Sequence, residues 1–157
     1  MAADIFLKID GIKGESTDSK HKDEIEVTSF SIGGTQVVSI AGGGMGAGKV
    51  ELQPFMITKH LDKATPALFQ HLATGKHIPV ADFSQRKAGG EQKDFLKINL
   101  KDVLVSNWST GGSGELPQES WTLHYGQISF EYFQQDNKGA VTSAGKFGWD
   151  LKQNKTV

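Results

Sequence analysis

The sequence predicts a mainly β fold: a barrel or sandwich of seven or eight strands with one short helix at its side. Three observations carry this. Apolar and polar residues alternate along several runs, only one stretch shows helical spacing with signals at both ends, and 19 glycines punctuate the runs. With 22% charged residues the chain has the composition of a folded protein, and 157 residues suffice for one domain with a real core, so a single unit over 1–157 is expected.

Asp4–Ile9 opens the chain as an apolar strand, and Gly11 to Lys22 is a polar connection. Glu24–Ile32 alternates in part, with Ile25, Val27 and Ser29 on one face and Glu26, Thr28 and Phe30 on the other. Gly33-Gly34 marks a bulge or bend before Thr35–Ile40, and Val50–Thr58 returns as an extended segment after a glycine loop. The helix is expected over about 65–74. Thr65 is its N-cap, Pro66 its first residue, Leu68, Phe69 and Leu72 its apolar stripe, and Gly75 its C′ residue. Ile78–Lys87 and Lys93–Val105 follow as strands around a turn at Ala88-Gly89-Gly90. In the second, Leu96, Ile98 and Leu100 alternate with lysines and Asn99 until the pattern slips at Asp102-Val103-Leu104-Val105, which predicts a bulge or corner that exchanges the faces. Ser109 to Gly114 reads as a loop, Gln118–Gln134 as a long aromatic strand, and Phe147–Leu151 as the closing one.

The run Gly42-Gly43-Gly44-Met45-Gly46-Ala47-Gly48-Lys49-Val50 comes within one residue of a phosphate-binding loop. Val50 stands where the metal-holding hydroxyl belongs, and Glu51-Leu52-Gln53-Pro54-Phe55 is a strand pattern with no helix to aim free N–H groups at an anion. The glycines therefore read as a projecting loop, and no nucleotide or other cofactor is expected. The five histidines, His21, His60, His71, His77 and His124, show no metal-binding spacing, and the chain has no cysteine for a thiolate ligand or nucleophile. Asp23, Glu24 and Glu26 read as solvated charge guarding a strand edge. Trp108, Trp121 and Trp149 could stack on sugars in a monomeric sugar-binding sandwich, yet aromatics in a β-rich chain more often fill cores. A net charge of −1 argues against nucleic acid, and no stretch has the apolar length of a membrane helix or the shape of a cleaved signal peptide, so the chain is expected to be made in the cytoplasm. The sequence does not read as an enzyme.

Taken in order, these segments resemble the haemolysin-coregulated protein (Hcp) family of type VI secretion. The matching pieces are Ile5-Phe6-Leu7-Lys8-Ile9, Gly14-Glu15-Ser16, Glu24 to Val27 with Ser29-Phe30-Ser31, Gly48-Lys49-Val50, and Lys59 to Pro66. They continue through Gly75-Lys76-His77, Arg86 to Gly90, Leu104-Val105-Ser106 through Ser109 to Gly114, and Gly148-Trp149-Asp150, so the resemblance spans essentially the whole chain. It implies a β-barrel of two antiparallel sheets flanked by one helix, assembling as a hexameric ring whose copies stack into a hollow tube. The alternative within the same structural class is a phage-type tail tube subunit.

By resemblance, an arm over about 37–58 reaches a neighbouring subunit or ring through Gly42, Gly43, Gly44, Met45, Gly46, Ala47, Gly48 and Lys49, and Ser31 faces effectors carried in the lumen. The implied partners are other copies of the chain, spike, sheath and baseplate proteins, and small effectors; no metal, nucleic acid or membrane insertion is implied. The last residues, Lys152 to Val157, are too few for a fused toxin domain, so the chain is expected to be tube and carrier, secreted without a cleaved signal peptide.

Overall fold

The computed structural model describes residues 4–87 and 92–157; the turn expected at Ala88-Gly89-Gly90 lies outside them. Eleven strands and one α-helix follow in the order β1 (Asp4–Ile9), β2 (Ile25–Glu26), β3 (Ser29–Ser31), β4 (Gly34–Ser39), β5 (Gly46–Leu52), β6 (Phe55–His60), α1 (Ala64–Thr74), β7 (Ile78–Arg86), β8 (Asp94–Gly111), β9 (Gln118–Gln135), β10 (Val141–Asp150) and β11 (Lys155–Thr156). They form a nine-stranded antiparallel sheet and a separate two-stranded one, β4–β5. The fold is mainly β with one helix, as the sequence predicts.

The large sheet curls on itself. Pairing runs from β1 through β7 and β8 to β9, whose first half pairs β6 and whose second half pairs β10. β6 pairs β3, and the path returns to β1 through β2. The seam is the step from Val27 to Thr28. The Val27 N–H donates to the Ile5 carbonyl at 3.0 Å, and the next N–H, that of Thr28, donates to Thr58 at 2.8 Å. This partner exchange divides what reads in the sequence as one strand, and it reverses the faces: Ile25 and Val27 are buried, but so is much of Phe30, while Ser29 and Ser31 face out. The barrel is filled by Leu7, Ile25, Phe55, Ile57, Phe83, Ile98, Leu100, Trp121 and Leu123, all essentially without solvent contact.

On β8 the faces exchange where the alternation slips. Leu96, Ile98 and Leu100 point inward, as do Val103 and Val105, because Asp102 takes a left-handed conformation (φ +54°) that a short polar side chain tolerates. Two strands run longer than the sequence suggests. β8 continues to Gly111, so Ser109 and Thr110 of the expected loop pair with Ser120 and Glu119. β10 begins at Val141 instead of Phe147, with a bulge between Ser143 and Gly145.

The arm also differs from the expected 37–58. It is the hairpin β4–β5, residues 34–52; Gln53-Pro54 then returns the chain to the barrel, where β6 is part of the wall. Gly34 sits where the arm leaves, and a Cβ there would lie 2.7 Å from Leu52 Cδ2, so a side chain at this position would have to push that leucine tip aside.

Helix α1 starts one residue before Thr65, and its cap is another residue. The Ala64 N–H donates to Asp62 Oδ1 at 2.9 Å, while the Thr65 hydroxyl is turned inward. Gly75 closes the helix as expected, left-handed at φ +69°, its N–H donating to the His71 carbonyl.

Candidate assembly and carrier surfaces

Four sets of side chains outside the apolar core could carry function. The first is the arm. Lys49 and Val50 lie within β5, Gly42 and Gly43 form a short 3₁₀ turn with positive φ, and no helix follows, so nothing here resembles a phosphate cradle. Val37, Val38, Ile40 and Met45 are exposed on the hairpin instead. Its base is clamped by two hydrogen bonds: the Gln53 N–H to the Gly33 carbonyl, and the Tyr125 hydroxyl to the Gln53 carbonyl, both 2.8 Å. Burial pushes the Tyr125 phenol up to about 12.

The second is a groove of about 410 Å³ between the arm and the second half of the β9–β10 pair. Arm residues Gln36, Val50 and Leu52 form one wall, and Ile128, Phe130, Phe147 and Trp149 the other. Phe130 and Phe147 are direct cross-strand partners, and both are exposed, as is Tyr132. Here the sheet runs past the end of the core, so its apolar inner face is covered only in part, with Phe130, Tyr132 and Phe147 left exposed.

The third surface is the outer face where β3, β6, β9 and β8 lie side by side. Ser31 is exposed opposite Met56, and Ser29 opposite Thr58. The register carries the face on through Thr122 and Ser120 of β9 to Asn107 and Ser109 of β8. Hydroxyls and amides dominate it, without an acidic or lysine side chain among these positions, and Met56 is its exposed apolar member.

The fourth is a buried ionic cluster under α1. Lys59 Nζ, without solvent contact, donates to Glu119 Oε1 at 2.8 Å, Asp62 Oδ1 at 2.7 Å and Thr65 Oγ1 at 3.1 Å. Glu119 also accepts from the Thr65 hydroxyl at 2.6 Å and from Trp108 Nε1 at 3.0 Å. Burial pushes the Glu119 carboxyl up, but the hydrogen bonds from Lys59, Thr65 and Trp108 with the lysine charge outweigh it and hold the group below the usual carboxylate range. The cluster pins the helix start to β6 and β9. It also uses Trp108, which stacks on Trp121 at 5.4 Å and meets Phe69 edge-on, leaving neither tryptophan a free platform for a sugar.

A second clasp closes the 11–24 connection over β1. His21 stacks on Phe6 at 4.3 Å between Glu24 (3.0 Å) and Asp94 (3.1 Å), and Arg86 lies over the Phe6 ring, 5.1 Å from its centroid, and pairs with Asp4 and Asp18. The Arg86 hydrogen bond holds the Asp18 carboxyl down at about 2. His60, His71, His77 and His124 do not converge, and among the described residues no group of three or more His, Cys, Asp or Glu could hold a metal ion.

A barrel with one helix, a projecting hairpin and uncovered apolar surface describes many assembling proteins; comparison with known proteins decides which. The family model described as type VI secretion system effector, Hcp, matches residues 6–132. The chain belongs to the Hcp family. It is 46% identical to protein hcp1 of Pseudomonas aeruginosa over 159 aligned residues, 98% of each chain. Among solved structures it is similar to Hcp1 of Salmonella typhimurium, 38% identical with a TM-score of 0.82 over the full length of both chains. It is also similar to a type six secretion system protein, 30% identical with a TM-score of 0.92, over 99% of this chain and all of the other.

Within this Hcp chain the residues singled out from the sequence fall at two places. Ser31 stands on the hydroxyl face at the end of β3 nearest the arm, and Gly42 to Lys49 stand on the arm itself. The groove lined by Phe130 and Phe147 was not anticipated, nor was the Lys59–Glu119 pair. Both leave a trace: Phe55, Ile57 and Lys59 share one parity on β6, as do Glu119, Trp121 and Leu123 on β9, placing one charge of each sign among inward positions.

Proposed function

We propose that this chain is the structural subunit of a type VI secretion inner tube: it assembles as six-membered rings, the rings stack, and the lumen carries effectors. The observation that carries the reading is the presence of two dissimilar apolar surfaces on one small chain: the arm with Val37, Val38, Ile40 and Met45, and the open groove with Phe130, Tyr132 and Phe147. Exposed apolar patches of this kind mark interaction sites. Because the two differ in shape and origin they cannot be self-complementary, and a contact of one with the other is head-to-tail, the kind that closes into a ring or propagates as a filament. Membership of the Hcp family supplies the biological setting.

In this reading the β9–β10 groove is covered by the neighbour within the ring, and the hydroxyl face with Ser31 and Met56 lines the bore. A wall of uncharged hydroxyls binds no partner strongly at any one point, which suits a channel through which cargo must both be held and pass. The chain acts mechanically and as a chaperone, not as an enzyme. It is built in the cytoplasm and exported with its cargo, in contact with spike, sheath and baseplate proteins. No described helix is long and apolar enough to cross a membrane. Negative-stain microscopy of the purified protein tests the reading: six-fold rings with an open centre are expected, and a uniform field of single small particles would refute it.

A further inference from the structure

Phe6 lies on the outward side of β1, opposite Leu7 and Ile9 of the core, yet it is only 4% exposed. The 11–24 connection covers it, with the His21 ring stacked on it nearly parallel, at 11° between the planes. Backbone hydrogen bonds fold the connection on itself, among them the Gly14 N–H to the Asp23 carbonyl at 2.8 Å and the Asp23 N–H to the Ser16 carbonyl at 2.9 Å. Three polar ties then hold it to the rest of the molecule: Glu15 accepts the Lys63 N–H, Asp18 pairs with Arg86, and His21 meets Asp94 at the start of β8.

The ties differ in how they answer to pH. Neither a backbone N–H nor a guanidinium titrates between pH 5 and 8, and Arg86 holds the Asp18 carboxyl down at about 2. Histidine is the side chain whose charge changes in that range. His21 Nδ1 lies 3.0 and 3.1 Å from the two Glu24 carboxylate oxygens, and Nε2 lies 3.1 Å from Asp94 Oδ1. Only the imidazolium carries an N–H on both nitrogens and donates to both carboxylates. A neutral ring keeps one N–H and turns a lone pair on the other carboxylate. With the Glu24 and Asp94 side chains 13% and 19% exposed, little water is at hand to take the missing place.

Other charged groups surround this triad from every neighbouring strand. Lys8 shares β1 with Phe6, and Glu26 is the cross-strand partner of Phe6 on β2. Arg86 and Asp82 stand on β7, Lys93 and Lys97 on β8, Glu131 on β9 and Lys146 on β10, with Lys20 on the connection itself and Asp4 held by Arg86. Cations and anions are mixed among them, so no field of one sign stands in for the two contacts.

We propose that His21 makes the 11–24 connection a pH-gated clasp: as imidazolium it locks the connection onto the start of β8 through Asp94, and on losing its proton it releases that tie and uncovers Phe6. The connection is therefore most ordered in mild acid and loosens as the pH rises towards 8, while the barrel core is unaffected. The device does not depend on how subunits assemble.

Hydrogen exchange of the whole protein, read by mass spectrometry at about pH 5.5 and pH 8 and corrected for the intrinsic rate at each, tests it. Peptides spanning 11–24 should lose protection by about tenfold at the higher pH, the scale of one charge-assisted hydrogen bond, with the core peptides of β8 and β9 unchanged. In His21→Gln the protection of 11–24 should be low and the same at both pH values. Asp94→Asn keeps the ring and its stacking, and its amide can accept from the charged ring or donate to the neutral one, so the pH dependence should shrink there too. Equal protection of 11–24 at both pH values in the parent would overturn the clasp. So would the parent's full pH dependence persisting in either variant.

Discussion

Replacing Lys59 by methionine isolates the consequence of burying a charge inside the barrel. Lys59→Met keeps most of the side-chain volume but leaves Glu119, itself 1% exposed, without its cation. The carboxylate retains Thr65 Oγ1 and Trp108 Nε1 as donors, so the loss is one charge-assisted hydrogen bond and the whole Coulombic partner. Breaking a buried pair from one side costs about 3–5 kcal/mol, most of it the penalty of the stranded charge. Glu119→Gln added to Lys59→Met removes that charge, so the double variant should be more stable than the single one. The pH dependence has a definite sign. In the parent, the Glu119 carboxyl is held below its unfolded value, so its contribution is full above that value and is lost as pH falls through the folded one. In Lys59→Met only the Thr65 and Trp108 hydrogen bonds still oppose burial, so the folded value rises and the variant loses most stability at neutral pH. The difference from the parent should therefore shrink as the pH is lowered from 7 towards 4. Equilibrium urea unfolding, followed by tryptophan fluorescence at one fixed protein concentration, measures it. A loss below about 1 kcal/mol that does not change with pH would refute the reasoning.

Gly44→Trp should spare folding, because no atom lies within 4 Å of the added Cβ and Gly44 has extended backbone, yet it should impair ring stacking; unchanged circular dichroism with unchanged polymer formation would place the loop away from any contact. Asp18→Asn should flatten the acid limb of the stability profile: Arg86 holds the parent carboxyl at about 2, so its contribution is complete above 3.8 and lost between 3.8 and about 2, which denaturation midpoints across that range report. Ser31→Gln should leave ring size unaltered and narrow the set of co-purifying effectors, read by mass spectrometry of proteins eluting with the ring; an unaltered set would show that Ser31 does not face the cargo.

What could be read in the sequence follows from where each residue finds its partners. The face exchange on β8 was legible because Asp102 breaks an otherwise regular alternation between Leu100 and Val103, and alternation is a local record of burial. Gly75 was legible for a similar reason, since the left-handed end of a helix is a local demand. Thr65 misled because its hydroxyl fits the capping rule, but Lys59 and Glu119, brought in from two strands, claim it. Glu24 to Ile32 misled because partner exchange at Val27 and Thr28 leaves no mark on composition. The first half of β10 was silent: Ser143, Ala144 and Gly145 lie where the sheet has no core beneath it, so no pattern of burial was written into them. The same uncovered sheet exposes Phe130 and Phe147, which makes that stretch a candidate for a neighbouring subunit.

The native mass of the purified protein, by light scattering after size exclusion, tests the central claim most directly. The account predicts a stable species of six 17.0 kDa chains, about 102 kDa. A stable particle of 17.0 kDa at all concentrations would contradict it, leaving the exposed faces of the arm and of β9–β10 without the neighbours that this reading requires.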